Sequence, residues 1–133
     1  MNTFSGTVRS LQSHQNMSRV SVACGDDVIS CVLLGIPEGV AEGSLVDMIF
    51  KETEVALSTG DGSHISIANR FSCRVVEVRE GVIVSEVSLA TRDGKSLVSI
   101  VTTDSLRRLE IKEGTDVTAL IKANEVSLER KEG

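Results

Sequence analysis

The chain has no tryptophan and no tyrosine, and only three phenylalanines and one proline among its 133 residues. Unpaired bases stack on aromatic rings, so this scarcity, together with a formal net charge of -5, argues against nucleic-acid binding by this chain. Long apolar runs are also missing. None approaches the roughly 20 residues of a membrane-spanning helix, and the N-terminus lacks the basic-then-apolar pattern of a secretory signal. We therefore expect a soluble, cytoplasmic protein. Cys24, Cys31 and Cys73 show no Cys-x-x-Cys spacing and leave an odd thiol, which fits small buried residues in a reducing compartment better than a disulfide framework. His14 and His64 lie in polar, turn-rich segments with no partners at a metal-ligand or triad spacing, and the glycines are scattered singly rather than gathered into a phosphate loop. No catalytic constellation and no metal site remain, so the expectation is a non-enzymatic protein.

What the chain does have is a repeat. Asn2-Thr3-Phe4-Ser5-Gly6-Thr7-Val8 returns as Asn69-Arg70-Phe71-Ser72-Cys73-Arg74-Val75, and Ser18-Arg19-Val20-Ser21-Val22 returns as Ser85-Glu86-Val87-Ser88-Leu89, both 67 residues later. Beyond Glu42-Gly43 the offset becomes 71, pairing Lys51, Glu54 and Val55 with Lys122, Glu125 and Val126, so the second copy carries a short insertion in its middle. A repeat of this size is one small domain used twice, here residues 1–60 and 64–133. Units of about 65 residues are near the lower limit for an independent core, so each needs its twin or further chains. The charge is divided unevenly: residues 1–63 hold three basic groups against eight acidic ones, and residues 64–133 hold eleven of each. The whole deficit lies in the first copy.

The apolar pattern has mostly period two and is rich in β-branched residues. Runs through Val75, Val84 to Leu89, Leu97 to Val101 and Val117 to Ile121 read as strands, broken at Glu80-Gly81 and at Arg92-Asp93-Gly94, where the Asp-Gly pair signals a hairpin. Thr102-Thr103-Asp104-Ser105 opens a short helix that ends before Glu113-Gly114. The fold class expected is all-β, with about five strands and one helical turn in each copy, the count of a small oligonucleotide/oligosaccharide-binding (OB) type barrel. Ser58 to Ser63 is the one linker-like segment.

Chemistry is left to hydroxyls, backbone amides and one lysine of the second copy: Ser66, Thr102, Ser105 and Lys122. A helix N-terminus offers unpaired N–H groups and partial positive charge, and hydroxyls plus a lysine complete a cage of donors suited to a small oxyanion. The same residues also admit a plain structural reading, in which Thr102 or Thr103 caps the helix, Ser66 begins a strand and Lys122 ends one with its head in water.

The ordered segments Ile65-Ser66-Ile67-Ala68-Asn69, Gly81-Val82-Ile83-Val84-Ser85-Glu86-Val87, Val101-Thr102-Thr103-Asp104-Ser105, Leu109 to Gly114 and Ala119-Leu120-Ile121-Lys122-Ala123 resemble the molybdate/tungstate-binding Mop (TOBE-type) domain. In that family these segments run I-S-A-R-N, G-A-V-N-A-E-V, V-T-x-x-S, L-x-L-x-x-G and A-x-I-K-A. The resemblance covers nearly all of residues 64–133 and reaches residues 1–57 only through the repeat. Tandem copies without another domain resemble the molbindins and the effector domains of molybdate-responsive transcription factors. The resemblance implies molybdate or tungstate as bound ligand with no organic cofactor, storage, homeostasis or sensing as the role, and a homo-oligomer, a trimer above all. It implies Ser66, Ala68, Thr102, Ser105, Lys122 and Ala123 as the oxyanion-binding positions. The alternative is an oligomerising regulatory module whose anion binding is weak or lost. Two departures bear on this: Ala68 stands where the family has Arg, and the first copy has Leu33-Leu34-Gly35-Ile36-Pro37 in place of the Thr/Ser segment, with Lys51 followed by Glu52 rather than Ala.

Overall fold

The computed structural model describes residues 1–131. Its elements are β1 (Asn2–His14), β2 (Met17–Cys24), β3 (Asp27–Leu34), β4 (Leu45–Phe50), β5 (Ala56–Ser58), β6 (Asn69–Arg79), β7 (Val84–Thr91), β8 (Ser96–Thr102), α1 (Thr103–Arg108), β9 (Asp116–Ile121) and β10 (Ser127–Arg130). Single 3-10 turns at Glu52–Glu54 and Ala123–Glu125 precede β5 and β10. The helix begins where its capping residues predict, and the hairpin falls on Arg92-Asp93-Gly94. The first half has turns at 35–44 instead of α1, where Gly35 adopts φ +75° and Pro37 lacks an N–H, so its one helical turn is the 3-10 turn.

All pairings are antiparallel, and the two five-stranded sheets have matching orders, β10-β4-β1-β2-β3 and β5-β9-β6-β7-β8. Each therefore ends on a strand from the other half. β5 pairs with β9 through Ala56↔Leu120 and Ser58↔Thr118, and β10 pairs with β4 through Ser127↔Ile49 and Arg130↔Val46. The division at 1–60 and 64–133 describes the repeat, while the sheets exchange their last strands across it. Each 3-10 turn leads into a buried valine, Val55 or Val126, and the chain crosses the shared core there before it pairs. The linker-like segment is docked as well: Thr118 Oγ1 donates to the Gly60 carbonyl at 2.7 Å, and Gly62 is buried with φ +73°.

One core serves both halves. All three phenylalanines meet in it, Phe4 standing edge-on to Phe50 at 5.4 Å and to Phe71 at 5.7 Å. Such pairs add about 0.5–1.5 kcal/mol each beyond the burial of their area. The repeat extends to irregularities: the β1/β2 register shifts between Val8 and Ser10, and the β6/β7 register between Val75 and Glu77, which is the same bulge 67 residues later.

Neither sheet closes into a barrel by backbone pairing. Its open edge is instead sealed by an asparagine of the other half. Asn69 Nδ2 donates to the Ser30 carbonyl at 2.9 Å while its Oδ1 accepts from Ser30 N–H at 2.8 Å, so the carboxamide imitates a neighbouring peptide on β3. Asn2 does the same for Val98 on β8, at 2.8 Å for both bonds. The 3-10 turns complete the cover, Ala123–Glu125 packing on β3 and Glu52–Glu54 on β8.

Cys24, Cys31 and Cys73 are all free and buried. Burial pushes the Cys31 thiol up to about 12 and that of Cys73 to about 11, so both are inert packing residues, as expected from their spacing.

Candidate functional site

The β6/β9 ladder pairs Asn69 with Ile121, which leaves Ala68 and Lys122 side by side just past its end. Lys122 is extended (φ -65°, ψ 143°) and stands immediately before the turn Ala123–Glu125, its carbonyl accepting from Glu125 N–H at 3.0 Å. Its side chain is exposed and has no carboxylate within ion-pair distance among the described residues. Ser66 and Ala68 are exposed on the approach to β6, and Ala123 is half-buried. Asn69 grips Ser30 and the turn that follows Lys122 rests on β3, so this end of β6 and β9 is anchored to a strand of the first copy.

Nearby, the Glu125 carboxyl is held above the usual carboxylate range. Its cause is first a hydrogen bond with Glu54, then burial and the charge of Glu54, against the opposing pull of Lys122. The two repeats thus bring equivalent glutamates of their 3-10 turns together beside Lys122.

Thr102 and Ser105 form a separate group. Thr102 ends β8 and caps α1, its Oγ1 accepting from Ser105 N–H at 3.1 Å and donating to Ser105 Oγ at 2.9 Å. Arg108 Nη2 also donates to Ser105 Oγ, at 3.4 Å. The capping role is therefore realised by Thr102. Thr103 is buried beneath it, bonded to Ser85 Oγ at 2.8 Å and to the Gly81 carbonyl at 2.9 Å, and holds the helix to β7. Strands β6 and β7 separate β8 from β9 in the sheet, so the six predicted positions divide into Ser66, Ala68, Lys122 and Ala123 on one side and Thr102 and Ser105 on the other.

The place related by the repeat to Lys122 is occupied differently. Lys51 precedes the turn Glu52–Glu54 against β8, beside a cavity of about 170 Å³ lined by Met1, Asn2, Glu52, Glu86, Val98 and Ile100. The Met1 ammonium is tied to Glu52 at 2.6 Å, which also holds the Glu52 carboxyl below its usual range. A larger, open groove of about 640 Å³ runs between Thr59–Asp61 and the outer face of β6 and β9. It contains none of the six positions, and two of its charged groups, Arg74 and Asp116, pair with each other at 3.5 Å.

Known proteins match this arrangement. The TOBE domain family model matches residues 65–128. Molybdenum-pterin-binding protein 3 of Clostridium pasteurianum is 39% identical over 64 residues, which are 48% of this chain and 94% of that protein. Molybdenum-pterin-binding protein MopB of Rhodobacter capsulatus is 36% identical over 89 residues, 66% of this chain and 33% of its own length. Among solved structures, the cytoplasmic molybdate-binding protein ModG with molybdate bound superposes with a TM-score of 0.93 at 28% identity, covering 98% of this chain and 96% of that one. A relative aligned along nearly its whole length, and a solved protein aligned from end to end with both units, agree on one assignment: the chain belongs to the TOBE-domain family, as a Mop-type member with two units in tandem.

Proposed function

We propose that this protein binds molybdate or tungstate in the cytoplasm, for storage, homeostasis or sensing, without catalysis. The relatives carry molybdenum binding in their names, and ModG holds molybdate. The observation that carries the reading to particular residues is Lys122, an exposed ammonium without an ion pair among the described residues, at the start of a 3-10 turn and beside Ala68 and Ala123. Directed N–H and hydroxyl donors around such a cation bind a tetrahedral dianion by charge-assisted hydrogen bonds.

The same reading takes the protein as a homo-oligomer, a trimer in preference, acting without nucleic acid. Within one chain Thr102 and Ser105 do not reach Lys122, so a second copy supplies them. An apolar strip beside Thr102 supports this: Val82 is 96% exposed and Ile83 78%, and Leu34, at the register position that Thr102 holds in the second half, is 84% exposed. Titration calorimetry with molybdate, tungstate and sulfate, alongside light scattering, tests both parts. Binding of the two heavier oxyanions by an oligomer is expected. A monomer of 14.2 kDa that binds none of them overturns the reading.

A second reading, an oligomerising regulatory module with weak anion binding, is favoured by one observation. Thr102 and Ser105 already satisfy each other as a helix cap.

A further inference from the structure

We infer that Arg19, on the first copy's β2, supplies the guanidinium of the oxyanion site that Ala68 leaves without one, so that the working site is built across the two copies against β3. The inference rests on the proposed oxyanion binding and names a residue that the second-copy motifs do not contain.

Three placements converge. Asn69, the neighbour of Ala68, is fixed by two hydrogen bonds to Ser30 on β3. Arg19 lies on the adjoining strand opposite Val32, and its Nη2 reaches across to Ser30 Oγ at 3.5 Å. Lys122 begins the turn that packs on the same strand. Ser30 is thus touched on its backbone edge by the residue after Ala68 and on its side chain by Arg19.

Arg19, like Lys122, is exposed and has no carboxylate within ion-pair distance among the described residues. Its one bond, at 3.5 Å, is at the outer limit for a hydrogen bond and is readily exchanged for an anion. A guanidinium offers a planar fork of donors that spans two oxygens of a tetrahedral anion, a geometry that an ammonium does not provide.

The pseudo-symmetric place is the internal control. There the repeat puts Glu86 where Arg19 stands, opposite Ile100 on β8, and Asn2 grips Val98 as Asn69 grips Ser30. Glu86 and Glu52 line that cavity, the Met1 ammonium is bonded to Glu52, and Lys51 stands before the turn there without an ion pair among the described residues. The scaffold is the same and the charge at the Arg19 position is reversed, so the first place holds a dianion better than the second.

The test is molybdate titration of the intact protein and of R19Q, R19K, R19E and E86Q, with K122A as reference and thermal melting as the check on folding. We expect R19Q to weaken binding about tenfold or more, the loss of a charge-assisted bond, and R19K to recover only part of it. R19E is expected to abolish binding, and E86Q to stay within about twofold of the parent. Melting temperatures should be unchanged, since Arg19 is exposed. If the parent binds molybdate and K122A loses it while R19Q and R19E stay within about twofold, Arg19 is not part of the site and the broader reading stands. If the parent itself does not bind, the broader reading fails first.

Discussion

The two edge strands, β3 and β8, invite comparison because the repeat treats them identically in architecture and reverses the charge at one position beside them, Arg19 against Glu86. Each is sealed by an asparagine from the other half, covered by a 3-10 turn and followed by the same shared core. Around β3 stand Arg19, Lys122 and Glu125; around β8 stand Glu86, Lys51, Glu52, Glu54 and the Met1 ammonium. The positions that kept their identity, Asn2 and Asn69, are those whose hydrogen bonds hold the fold. Those that diverged, Arg19 and Glu86, point outward, where a change of charge costs the fold little and alters what the surface attracts.

The strongest way to break the comparison is to remove an asparagine. Asn69 is 2% exposed, and Asn69→Ala leaves Ser30 N–H and C=O without partners at a covered edge. The expected loss is about 2–4 kcal/mol in urea unfolding. Asn2→Ala should lose less, because Asn2 is closer to the chain end and less completely buried. Equal losses would show that the two seals are interchangeable.

Next in size is the lysine pair. Lys122→Ala should weaken molybdate binding by about 1.5–3 kcal/mol, the range for a hydrogen bond to a charged group, with an unchanged melting temperature. Lys51→Ala should change affinity by less than about 0.4 kcal/mol, because Lys51 faces the acidic place. Calorimetry on both variants decides it, and similar losses from the two would erase the distinction between the halves.

A third test concerns the contact between the two hairpin tips. Lys95 is only 16% exposed, and its Nζ bonds Asp27 at 2.9 Å, Asp93 at 2.5 Å and the Cys24 carbonyl at 3.3 Å. Burial alone would lower the Lys95 ammonium, yet its hydrogen bonds to Asp27 and Asp93 hold it above its usual range. Lys95→Met leaves two carboxylates facing each other, and should lower the melting temperature more than Lys131→Met does. Lys131 is half-exposed and reaches Asp47 only at 4.0 Å.

The smallest expected effect is a pH dependence of opposite sign at two contacts between the halves. Hydrogen bonds from Lys95, Thr91 and the Asp26 N–H hold the Asp93 carboxyl well below its usual range. Its contribution is therefore present above the usual carboxylate value and lost as pH falls toward the folded value. Glu125 is shifted upward by Glu54, so its contribution is present in acid and lost as pH rises through its folded value. Urea unfolding across pH 3–8 should show the acid limb flattened in Asp93→Asn and the neutral limb flattened in Glu125→Gln. A parent profile that neither variant alters would remove both assignments.

Much of this was legible from residue order because it rests on short-range chemistry. The hairpin at Arg92-Asp93-Gly94, the helix after Thr102 and the strands of the second copy each follow from neighbours within a few positions. The TOBE match over 65–128 covers the same strands and helix. The capping and ligand readings of Thr102 could not be separated that way, because one hydroxyl serves either and only its actual partners decide. Arg19 carried no signal at all in the second-copy motifs. The only hint was its place opposite Glu86 in the repeat, whose meaning depends on which strand lies beside it.

By itself, then, the sequence determined that there are two similar all-β units, where their strands and turns fall, and that the first unit carries the whole charge deficit. These follow from side-chain alternation, backbone preference and counting. The tertiary structure alone decided that β5 and β10 change places, that Asn2 and Asn69 seal each other's sheets, that Asn69 and Arg19 meet at Ser30, and that two strands separate Lys122 from Thr102 and Ser105. Pairing of an edge strand is satisfied by any complementary edge within reach. The choice fell to the burial of Val55 and Val126 in a core common to both halves, a long-range term that no local pattern contains.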